Sequence, residues 1–450
     1  MPLAASSTQP LPSFVLVQIA AGIDVDTVDQ RLQYLVSGGS GSVLFAVGDG
    51  WYAISRAPGK ELRIAAGGDN ERLFEYLGGI PGIIGVELTQ ADELIRRYET
   101  RGPAPAAPVA PPAVAPQQWN LECVNAHAAW NIMGGFDGFD WGSIRIGHLD
   151  TGYTQHPVFG PWNQGLSPSL LPQEGMNFFD QSPGPGDPLP NHGTPGHGTR
   201  TSSVLTGRAD GTLLGIAPRV PVVPYRVTDF VVIDTLGWQN RMGEAINHAV
   251  LSTGCSVLSI SLGDPCYAPS EMGRAIDQAY ERGVIVVAAA GNYTSEGTYP
   301  GRYSRVISAG GITVGDQPWN GSSRGSWVTL SAPADQIWRA DSVRQADGST
   351  RYIYGGDGDG TSYATVHISA AAVMWRAHHG HALDNLYAAR PWQYVEAFRK
   401  LVTATARVPN GWNGKQFGAG VLDIAALLKA DLPAPDKLVK QDRLAENEHS

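Results

Sequence analysis

Cysteine, charge and long apolar runs are all scarce in this 450-residue chain. Its three cysteines, an odd count, cannot build a disulfide framework. Charged residues make up 16% of the chain and the formal net charge is −10, so the basic excess of nucleic-acid-binding domains is missing. No apolar run is long enough to span a bilayer, and the N-terminus lacks the basic start of a signal peptide. We therefore expect a soluble cytoplasmic protein whose partners include neither nucleic acid nor a membrane.

Glycine and proline are plentiful instead, with 55 and 32 residues. The proline- and alanine-rich stretch RGPAPAAPVAPPAVAP begins at residue 101 and can neither continue a helix nor enter a central strand. It predicts an extended linker over 101–117. This linker separates a small domain at 11–100 from a large domain at 118–430, and a polar, solvated tail follows at 431–450.

The small domain alternates strand and helix patterns in the order β-α-β-β-α-β. SFVLVQIA at 13–20 is typical of a strand, and DVDTVDQRLQYLV at 24–36 has helical spacing. GDG between two apolar runs indicates a β-hairpin, and GIIGVEL at 82–88 predicts the last strand. The order is that of a ferredoxin-like α+β sandwich, which by itself indicates no function.

In the large domain, continuous apolar runs alternate with helical patterns. The runs predicted as strands are IRIGHLD (144–150), VPVVPYRV (220–227), SVLSISLG (256–263), VIVVAAAGN (284–292) and VISAGGIT (306–313). This alternation predicts an α/β fold with a mostly parallel sheet covered by helices on both faces. In such sheets the functional site lies at the carboxyl ends of the strands.

Four motifs stand where such a sheet would place a site. Asp150 ends one apolar strand, Asn292 ends another, and His197 and Ser362 stand at the starts of small-residue helices. A serine hydroxyl is a poor nucleophile unless an imidazole takes its proton, and that imidazole needs a carboxylate to orient it. Asn292 and the Ser362 N–H can donate to a developing oxyanion. The four residues therefore predict acyl-transfer chemistry.

The triplet His-Gly-Thr occurs twice in NHGTPGHGTR, at 191–200. After His192 it is followed by Pro195, whose fixed φ and missing N–H interrupt the chain. After His197 it continues into RTSSVLTG, which can form a helix. We predict His197 as the base and His192 as a loop residue.

The motifs DTG, HGT, SLG, AAGN and GTSYA, in the order Asp, His, Ser, resemble the subtilisin-like serine protease (subtilase, peptidase S8) family over nearly all of residues 117–430. The resemblance implies a hydrolase that cleaves peptide bonds through an acyl-enzyme, with protein or peptide substrates. The chain has Val366 where the family usually has proline, and Arg200 where it often has a second histidine. We expect both departures to change packing rather than chemistry.

The resemblance also implies where substrate is held. Ser261, Leu262 and Gly263 resemble the segment that pairs with an extended peptide as an added strand. Ala289, Ala290 and Gly291 resemble the pocket for the residue before the cleaved bond. Asp264 next to the first segment is either a selector of basic side chains or, the reading we favour, a solvated rim residue.

No cofactor is required by this chemistry. The sequence offers no calcium ligand set that could be named, although relatives in the family bind calcium. The DGDG run at 357–360 lacks the spacing of a known calcium loop and predicts a flexible approach to Ser362. His378, His379 and His381 are predicted as the solvated end of a helix rather than as metal ligands. His156 and His367 match histidines that are structural in the family.

The small domain, with YLGGIPGIIGVEL, resembles the propeptide that subtilisin-like proteases use as a folding aid and inhibitor. We expect it to restrain the protease as an intramolecular partner of a zymogen. A predicted helix and the linker stand between Leu88 and Trp119, whereas the family's last propeptide strand leads directly into the active site. Self-cleavage in this chain would therefore fall elsewhere or not occur.

Two other functions fit the same motifs. A peptide ligase or macrocyclase would use an amine instead of water to resolve the acyl-enzyme, but we find no inserted lid that excludes water. A protease-derived binding module would have no need of Ser362.

Overall fold

The structure is a computed structural model whose described residues fall into two compact units, one before residue 105 and one after it. The described residues are 13–20, 22–25, 27–28, 32, 44–48, 51–54, 80–81, 83–90, 117–135, 139–180, 182–189, 194–231, 236–264, 271–292 and 297–442. The predicted linker up to residue 116, the loop histidine His192 and the third cysteine, Cys266, lie outside these residues.

The first unit contains a four-stranded antiparallel sheet with the order β2-β3-β1-β4. Its strands are β1 (Ser13–Ile19), β2 (Leu44–Gly48), β3 (Trp51–Ile54) and β4 (Ile83–Gln90). The predicted hairpin is present as β2 and β3, and the first and last strands lie side by side. Most of the predicted helix over 24–36 lies outside the described residues.

The second unit is larger and contains eleven strands and nine α-helices among its described residues. The strands are β5 (Ile146–Asp150), β6 (Met176–Asn177), β7 (Arg208–Ala209), β8 (Leu213–Leu214), β9 (Val222–Arg226), β10 (Val257–Ile260), β11 (Ile285–Ala289), β12 (Ile307–Ile312), β13 (Leu330–Pro333), β14 (Ile337–Arg344) and β15 (Thr350–Gly358). The helices are α1 (Trp119–Cys123), α2 (Ala126–Ile132), α3 (His197–Thr206), α4 (Leu236–Leu251), α5 (Glu271–Glu281), α6 (Thr361–Tyr387), α7 (Trp392–Ala404), α8 (Gly414–Phe417) and α9 (Ile424–Lys429).

Seven of these strands form one parallel sheet in the order β13-β12-β11-β10-β5-β9-β6. All five strands predicted from apolar runs belong to it, and the short edge strands β6 and β13 were not predicted. β5 and β10 lie next to each other at the centre. Because every strand runs the same way, Asp150 at the end of β5 and Ser261 just after β10 lie at the same edge.

Helices cover both faces of the sheet, as the α/β class requires. Helices α4 and α5 cover one face, where Met242 and Ile276 belong to the same buried apolar cluster as Leu149 of β5. Helix α6 lies on the other face, where Trp375 and Phe398 are fully buried in the larger core. Both faces of the central strands are therefore dry, which explains why these strands are continuous apolar runs.

Glycines allow the two helices that carry predicted site residues to begin close to the sheet. Gly196 precedes α3 with φ 77°, and Gly360 precedes α6 with φ 136°, a region that other residues rarely adopt. A Cβ on Gly198, the second residue of α3, would lie 2.0 Å from the carbonyl oxygen of Gly152. The first turn of α3 therefore contacts the loop after β5 directly.

Two stretches differ from the sequence-based expectation. Residues 357–358 of the DGDG run are the end of β15, so the approach to Ser362 is a strand and a tight turn rather than a flexible loop. The predicted tail packs against the protein along 431–442: Leu438 is buried, and the Gln441 N–H donates to Tyr280 Oη at 2.9 Å. None of the described helices is both long and apolar enough to cross a membrane.

Replacing Gly198 with alanine should destabilise the large unit, because the added methyl group overlaps the Gly152 carbonyl. We expect a loss of roughly 2 kcal/mol in the free energy of unfolding, measured by urea denaturation. Gly186 is the matched control, since a Cβ there meets nothing within 4 Å. Equal stability of Gly198→Ala and Gly186→Ala would contradict the close approach.

Candidate active site

Asp150 and His197 form a buried hydrogen-bonded pair at the carboxyl edge of the sheet. Nδ1 of His197 lies 2.7 Å from Oδ1 of Asp150. Asp150 is fully buried at the end of β5, and His197, the first residue of α3, is 5% exposed. The pair leaves the Nε2 side of the imidazole available to another group.

The Asp150 carboxylate stays ionised although it is buried. Burial alone would raise its pKa, but the charge and hydrogen bond of His197, the nearby His148 and the N–H of Thr151 outweigh burial and lower the pKa. The Thr151 N–H donates to Oδ1 at 2.7 Å. The site therefore holds a compensated negative charge next to the imidazole.

Two residues that the sequence analysis missed lie where the end of β5 meets the start of α3. The hydroxyl of Thr151 donates to Asp187 Oδ2 at 3.0 Å, and the Gly196 N–H donates to the same oxygen at 2.8 Å. Asp187 thus ties the end of β5 to the turn before His197. The second is His148, two residues before Asp150 on the same strand. In the sequence, the signal for His148 was a histidine inside an otherwise apolar strand.

Ser362 is the second residue of α6 and is 6% exposed. Its hydroxyl donates to the main-chain carbonyl of Ser261 at 3.1 Å, and the Ser261 hydroxyl donates back to the Ser362 carbonyl at 3.0 Å. Ser362 therefore lies against the end of β10, one strand away from Asp150. Val366, where the resemblance implied proline, is fully buried and continues the helix.

Asn292 follows β11, and its amide is held in one orientation. Its Oδ1 accepts from the Thr361 N–H at 2.9 Å and from the Thr361 hydroxyl at 2.7 Å. Nδ2 then faces the turn before Ser362, where a Cβ on Gly360 would lie 3.2 Å from it. The amide N–H₂ group is directed towards the start of α6.

The two predicted substrate segments lie at the ends of the neighbouring strands β10 and β11. Ser261, Leu262 and Gly263 are buried, and the Leu262 side chain is part of the core under α4 and α5, so only main-chain atoms of Leu262 can meet a ligand. Thr298 lies between this segment and the predicted pocket residues: a Cβ on Gly263 would be 2.4 Å from its hydroxyl oxygen.

The predicted pocket residues Ala289, Ala290 and Gly291 have their carbonyls engaged. The Thr298 N–H donates to Ala290 at 3.0 Å, and the Ser323 N–H donates to Gly291 at 2.9 Å. The Thr298 hydroxyl donates to Ala289 at 3.3 Å. These bonds fix the shape of the segment, and two of them come from Thr298, which the sequence analysis did not name.

Asp264 corrects one expectation. It is 1% exposed and accepts a hydrogen bond from the Gln239 side chain, so it is not a solvated rim residue.

Arg200 makes a local contact instead of a catalytic one, because its guanidinium donates to the Pro195 carbonyl at 2.8 Å and lies 3.6 Å from Asp341.

The remaining buried histidines have structural contacts. Burial lowers the pKa of His156 to about 4, and its Nδ1 accepts from the Val158 N–H at 3.0 Å. His367 on α6 lies 3.0 Å from the Asn120 amide of α1 and 2.6 Å from the Tyr363 carbonyl. Burial lowers its pKa to about 4 as well. His367 therefore links α6 to α1 as a neutral imidazole.

His378 and His379 lie at the end of the first segment of α6, as predicted. The helix breaks at Gly380 (φ 41°, ψ −119°), and a second helical segment continues to Tyr387. His378 and His381 are exposed, and burial lowers the pKa of His379 to about 4. Among the described side chains, no group of three or more His, Cys, Asp or Glu residues is arranged to hold a metal ion.

Comparison with known proteins identifies the family of the chain. A model of the subtilase family, peptidase S8, matches residues 142–420, which is more than half of the chain. This chain belongs to the subtilase family and is a subtilisin-like serine protease. The resemblance predicted from the sequence is thus confirmed at the level of family and enzyme class.

Among its relatives is the major intracellular serine protease of Bacillus subtilis, 28% identical over 325 residues that cover 68% of this chain and 86% of that protein. Mycosin-1 of Mycobacterium tuberculosis is 28% identical over 59% of this chain and 67% of its own length. The crystal structure of MycP1 from Mycobacterium smegmatis has a TM-score of 0.54 at 21% identity, covering 74% of this chain and 90% of that one. This structural likeness supports the fold.

The buried, neutral His367 predicts a pH dependence of stability. Its folded pKa of about 4 lies below the ordinary value of 6.5, so unfolding takes up a proton between these values. Stability from this group is complete above pH 6.5 and is lost as the pH falls towards 4, by roughly 3 kcal/mol.

Urea denaturation at several pH values tests this expectation. The variant His367→Gln has no titrating group there and should lose less stability between pH 6.5 and 4 than the wild type. An identical pH dependence in the two proteins would show that the pKa of His367 does not differ between the folded and unfolded states.

Proposed function

We propose that this protein is a serine endopeptidase that hydrolyses peptide bonds through an acyl-enzyme, with Ser362 as nucleophile, His197 as general base and Asp150 as the carboxylate that orients the base. The observation that carries this proposal is the buried 2.7 Å hydrogen bond between His197 and Asp150, at the sheet edge where α6 presents Ser362. Asn292 and the Ser362 N–H are the proposed oxyanion donors.

In the proposed reaction the Ser362 hydroxyl turns from the Ser261 carbonyl to the Nε2 atom of His197. His197 accepts the hydroxyl proton as Oγ bonds to the substrate carbonyl carbon, and Asp150 stabilises the imidazolium that results. The carbon–nitrogen bond then breaks, and His197 gives its proton to the leaving amine. Water repeats the sequence on the acyl ester: its proton passes through His197 to Ser362 Oγ, and the acid product leaves.

The proposed oxyanion site uses two donors with fixed directions. In the first turn of α6 the Thr361 N–H is bonded to Asn292 and the Tyr363 N–H to the Gly360 carbonyl, which leaves the Ser362 N–H as the proposed donor. Thr361 donates two hydrogen bonds to Oδ1 of Asn292, so only the N–H₂ group of the amide can donate to the reacting oxygen. Because these donors are held before the reaction, their reorganisation costs little in the transition state.

Peptide substrates are proposed to bind along Ser261, Leu262 and Gly263, with the side chain before the cleaved bond directed towards Ala289, Ala290 and Gly291. The short separation between Gly263 and Thr298 limits the depth between the two segments. We infer that this subsite accepts small side chains.

The N-terminal unit is proposed to act as an intramolecular inhibitor. Supporting this, the alignment with subtilisin E of Bacillus subtilis covers 83% of this chain, which is more than the 142–420 match to the family model. One related structure is described as MycP1 with its N-terminal propeptide removed. The cytoplasmic location and the expectation that no cofactor is required stay predictions.

The proposed roles can be tested by single substitutions in the full-length chain. Ser362→Ala should abolish both peptide cleavage and labelling by a phosphonate probe. Asn292→Ala should keep the labelling site and lower kcat by about 10²–10³-fold with little change in KM, because its donor acts on charge that develops in the transition state. Labelling of Ser362→Ala, or full activity of Asn292→Ala, would contradict the assignment.

Self-processing is tested by intact mass. Under conditions in which the wild type becomes active, we expect it to lose its N-terminal part, whereas Ser362→Ala stays full length. If both remain full length while the wild type cleaves peptides, the N-terminal unit is not removed by the protein's own active site.

A further inference from the structure

His148 lies on the same face of β5 as Asp150, because residues two apart on a strand share a face. It is 1% exposed and is covered by the first turns of α3. Its neighbours in the sheet are Pro224 of β9 and Ser259 of β10, neither of which can ionise. An imidazole therefore occupies a position where the other strands of this sheet bury mostly apolar residues.

Two α3 side chains contact the His148 imidazole. The Thr201 hydroxyl lies 3.1 Å from Nε2, and the Ser202 hydroxyl lies 3.4 Å from Nδ1. Nε2 itself is 3.7 Å from Asp150 Oδ2, which is too long for a direct hydrogen bond. Thr201 closes this gap, because its hydroxyl is also 3.4 Å from Asp150 Oδ2.

The ionisable groups that act on His148 are Asp150 and His197. Burial lowers the pKa of His148, Asp150 opposes this shift and His197 adds to it. His148 is therefore a neutral imidazole at neutral pH, with one ring nitrogen that donates and one that accepts. If Ser202 donates to Nδ1, the proton of His148 is on Nε2 and points at Thr201.

We propose that His148 is a positioning residue that acts through Thr201 on the second oxygen of the Asp150 carboxylate. In this chain of hydrogen bonds, His148 Nε2–H donates to Thr201 Oγ1 and the Thr201 hydroxyl donates to Asp150 Oδ2, while His197 and the Thr151 N–H hold Oδ1. The proposal rests on the proposed function of Asp150 and His197.

The Thr201 hydroxyl has other acceptors within reach, the carbonyls of His197 at 3.1 Å and of Gly198 at 3.3 Å. A hydroxyl carries one proton, so it can serve either a carbonyl of its own helix or the carboxylate. A donor from His148 into Oγ1 and a negative charge on Asp150 both favour the carboxylate, since a hydrogen bond to a charged acceptor is the stronger one.

This arrangement has a consequence for the pH dependence of catalysis. Hydrogen bonds donated to Oδ2 draw negative charge away from Oδ1, the oxygen that faces His197. Without them Asp150 holds a proton on His197 more tightly. The acid limb of the kcat/KM profile then moves to higher pH, and kcat falls because the imidazole is oriented less firmly.

The test compares two threonine-to-valine changes in α3 of the full-length protein. Thr201→Val removes the bridging hydroxyl at nearly constant shape. Thr206→Val is the matched control, since Thr206 is also fully buried on α3 and its hydroxyl donates to the Val220 carbonyl at 2.8 Å, at the far end of the helix.

With a fluorogenic peptide that the wild type cleaves, Thr201→Val should lower kcat about tenfold, leave KM unchanged and move the acid limb up by several tenths of a pH unit, whereas Thr206→Val should do none of these. Thr201→Ser should restore the wild-type profile. An acid limb of Thr201→Val that coincides with that of Thr206→Val overturns the proposal.

His148 is tested by His148→Leu and by His148→Gln, which keeps a donor. His148→Leu should match Thr201→Val, and the double variant should lose no more than either single one, because both act through one chain. Additive losses overturn the proposal. If His148→Leu does not fold, imidazole ¹⁵N shifts of the histidine-labelled wild type decide instead: a neutral Nε2–H tautomer supports the proposal and an Nδ1–H tautomer overturns it.

These outcomes are distinct from a failure of the proposed function. If the wild type neither cleaves peptides nor reacts with a phosphonate probe, the assignment of Asp150 and His197 as catalytic fails. If the wild type is active but the Thr201 and His148 variants behave like Thr206→Val, only the proposed role of His148 and Thr201 fails.

Discussion

A carboxylate removed from water is stable only when nearby dipoles and charges replace the solvent, and Asp150 meets this condition inside the sheet. The cost of burying an unpaired ion is several kcal/mol, so the contacts of Asp150 decide whether the corner between β5 and α3 can form at all. His197 and the Thr151 N–H supply direct hydrogen bonds to one oxygen. The same contacts that make the charge tolerable hold the imidazole in place, so folding and the proposed catalysis depend on one interaction.

The parallel sheet and a few glycines bring the separated segments together. Asp150 and Ser261 end neighbouring strands, and Gly198 lets α3 approach the loop after β5 so closely that a methyl group would not fit. Asp187 then ties the end of β5 to the turn before α3 from the side. The geometry of the site is therefore set by main-chain packing, and the reactive side chains are placed by where their strands and helices begin or end.

This explains which parts could be predicted from the sequence. The five apolar strands and the helix starting at His197 follow from patterns within short windows, and so do the positions of Asp150, Asn292 and Ser362 at strand ends and helix starts. The edge strand β13, the packing of the segment after residue 430 and the burial of Asp264 depend on contacts between distant residues. A window around Leu438 shows polar neighbours, for example, but the surface that covers it comes from other parts of the chain.

His148 shows the same limit in a more informative way. In the sequence it is one polar residue in an apolar strand, and Thr201 and Ser202 are two of several small residues in a helix. Their contacts form only when β5 and α3 pack together, because this packing brings His148 and Thr201, 53 residues apart in the chain, next to each other in the interior. A polar group in such a volume destabilises the fold unless it is hydrogen-bonded, and an apolar side chain would fill the same space at lower cost. Because His148 is buried next to the Asp150 carboxylate, this cost is the physical reason to connect His148 with Asp150 rather than with the core.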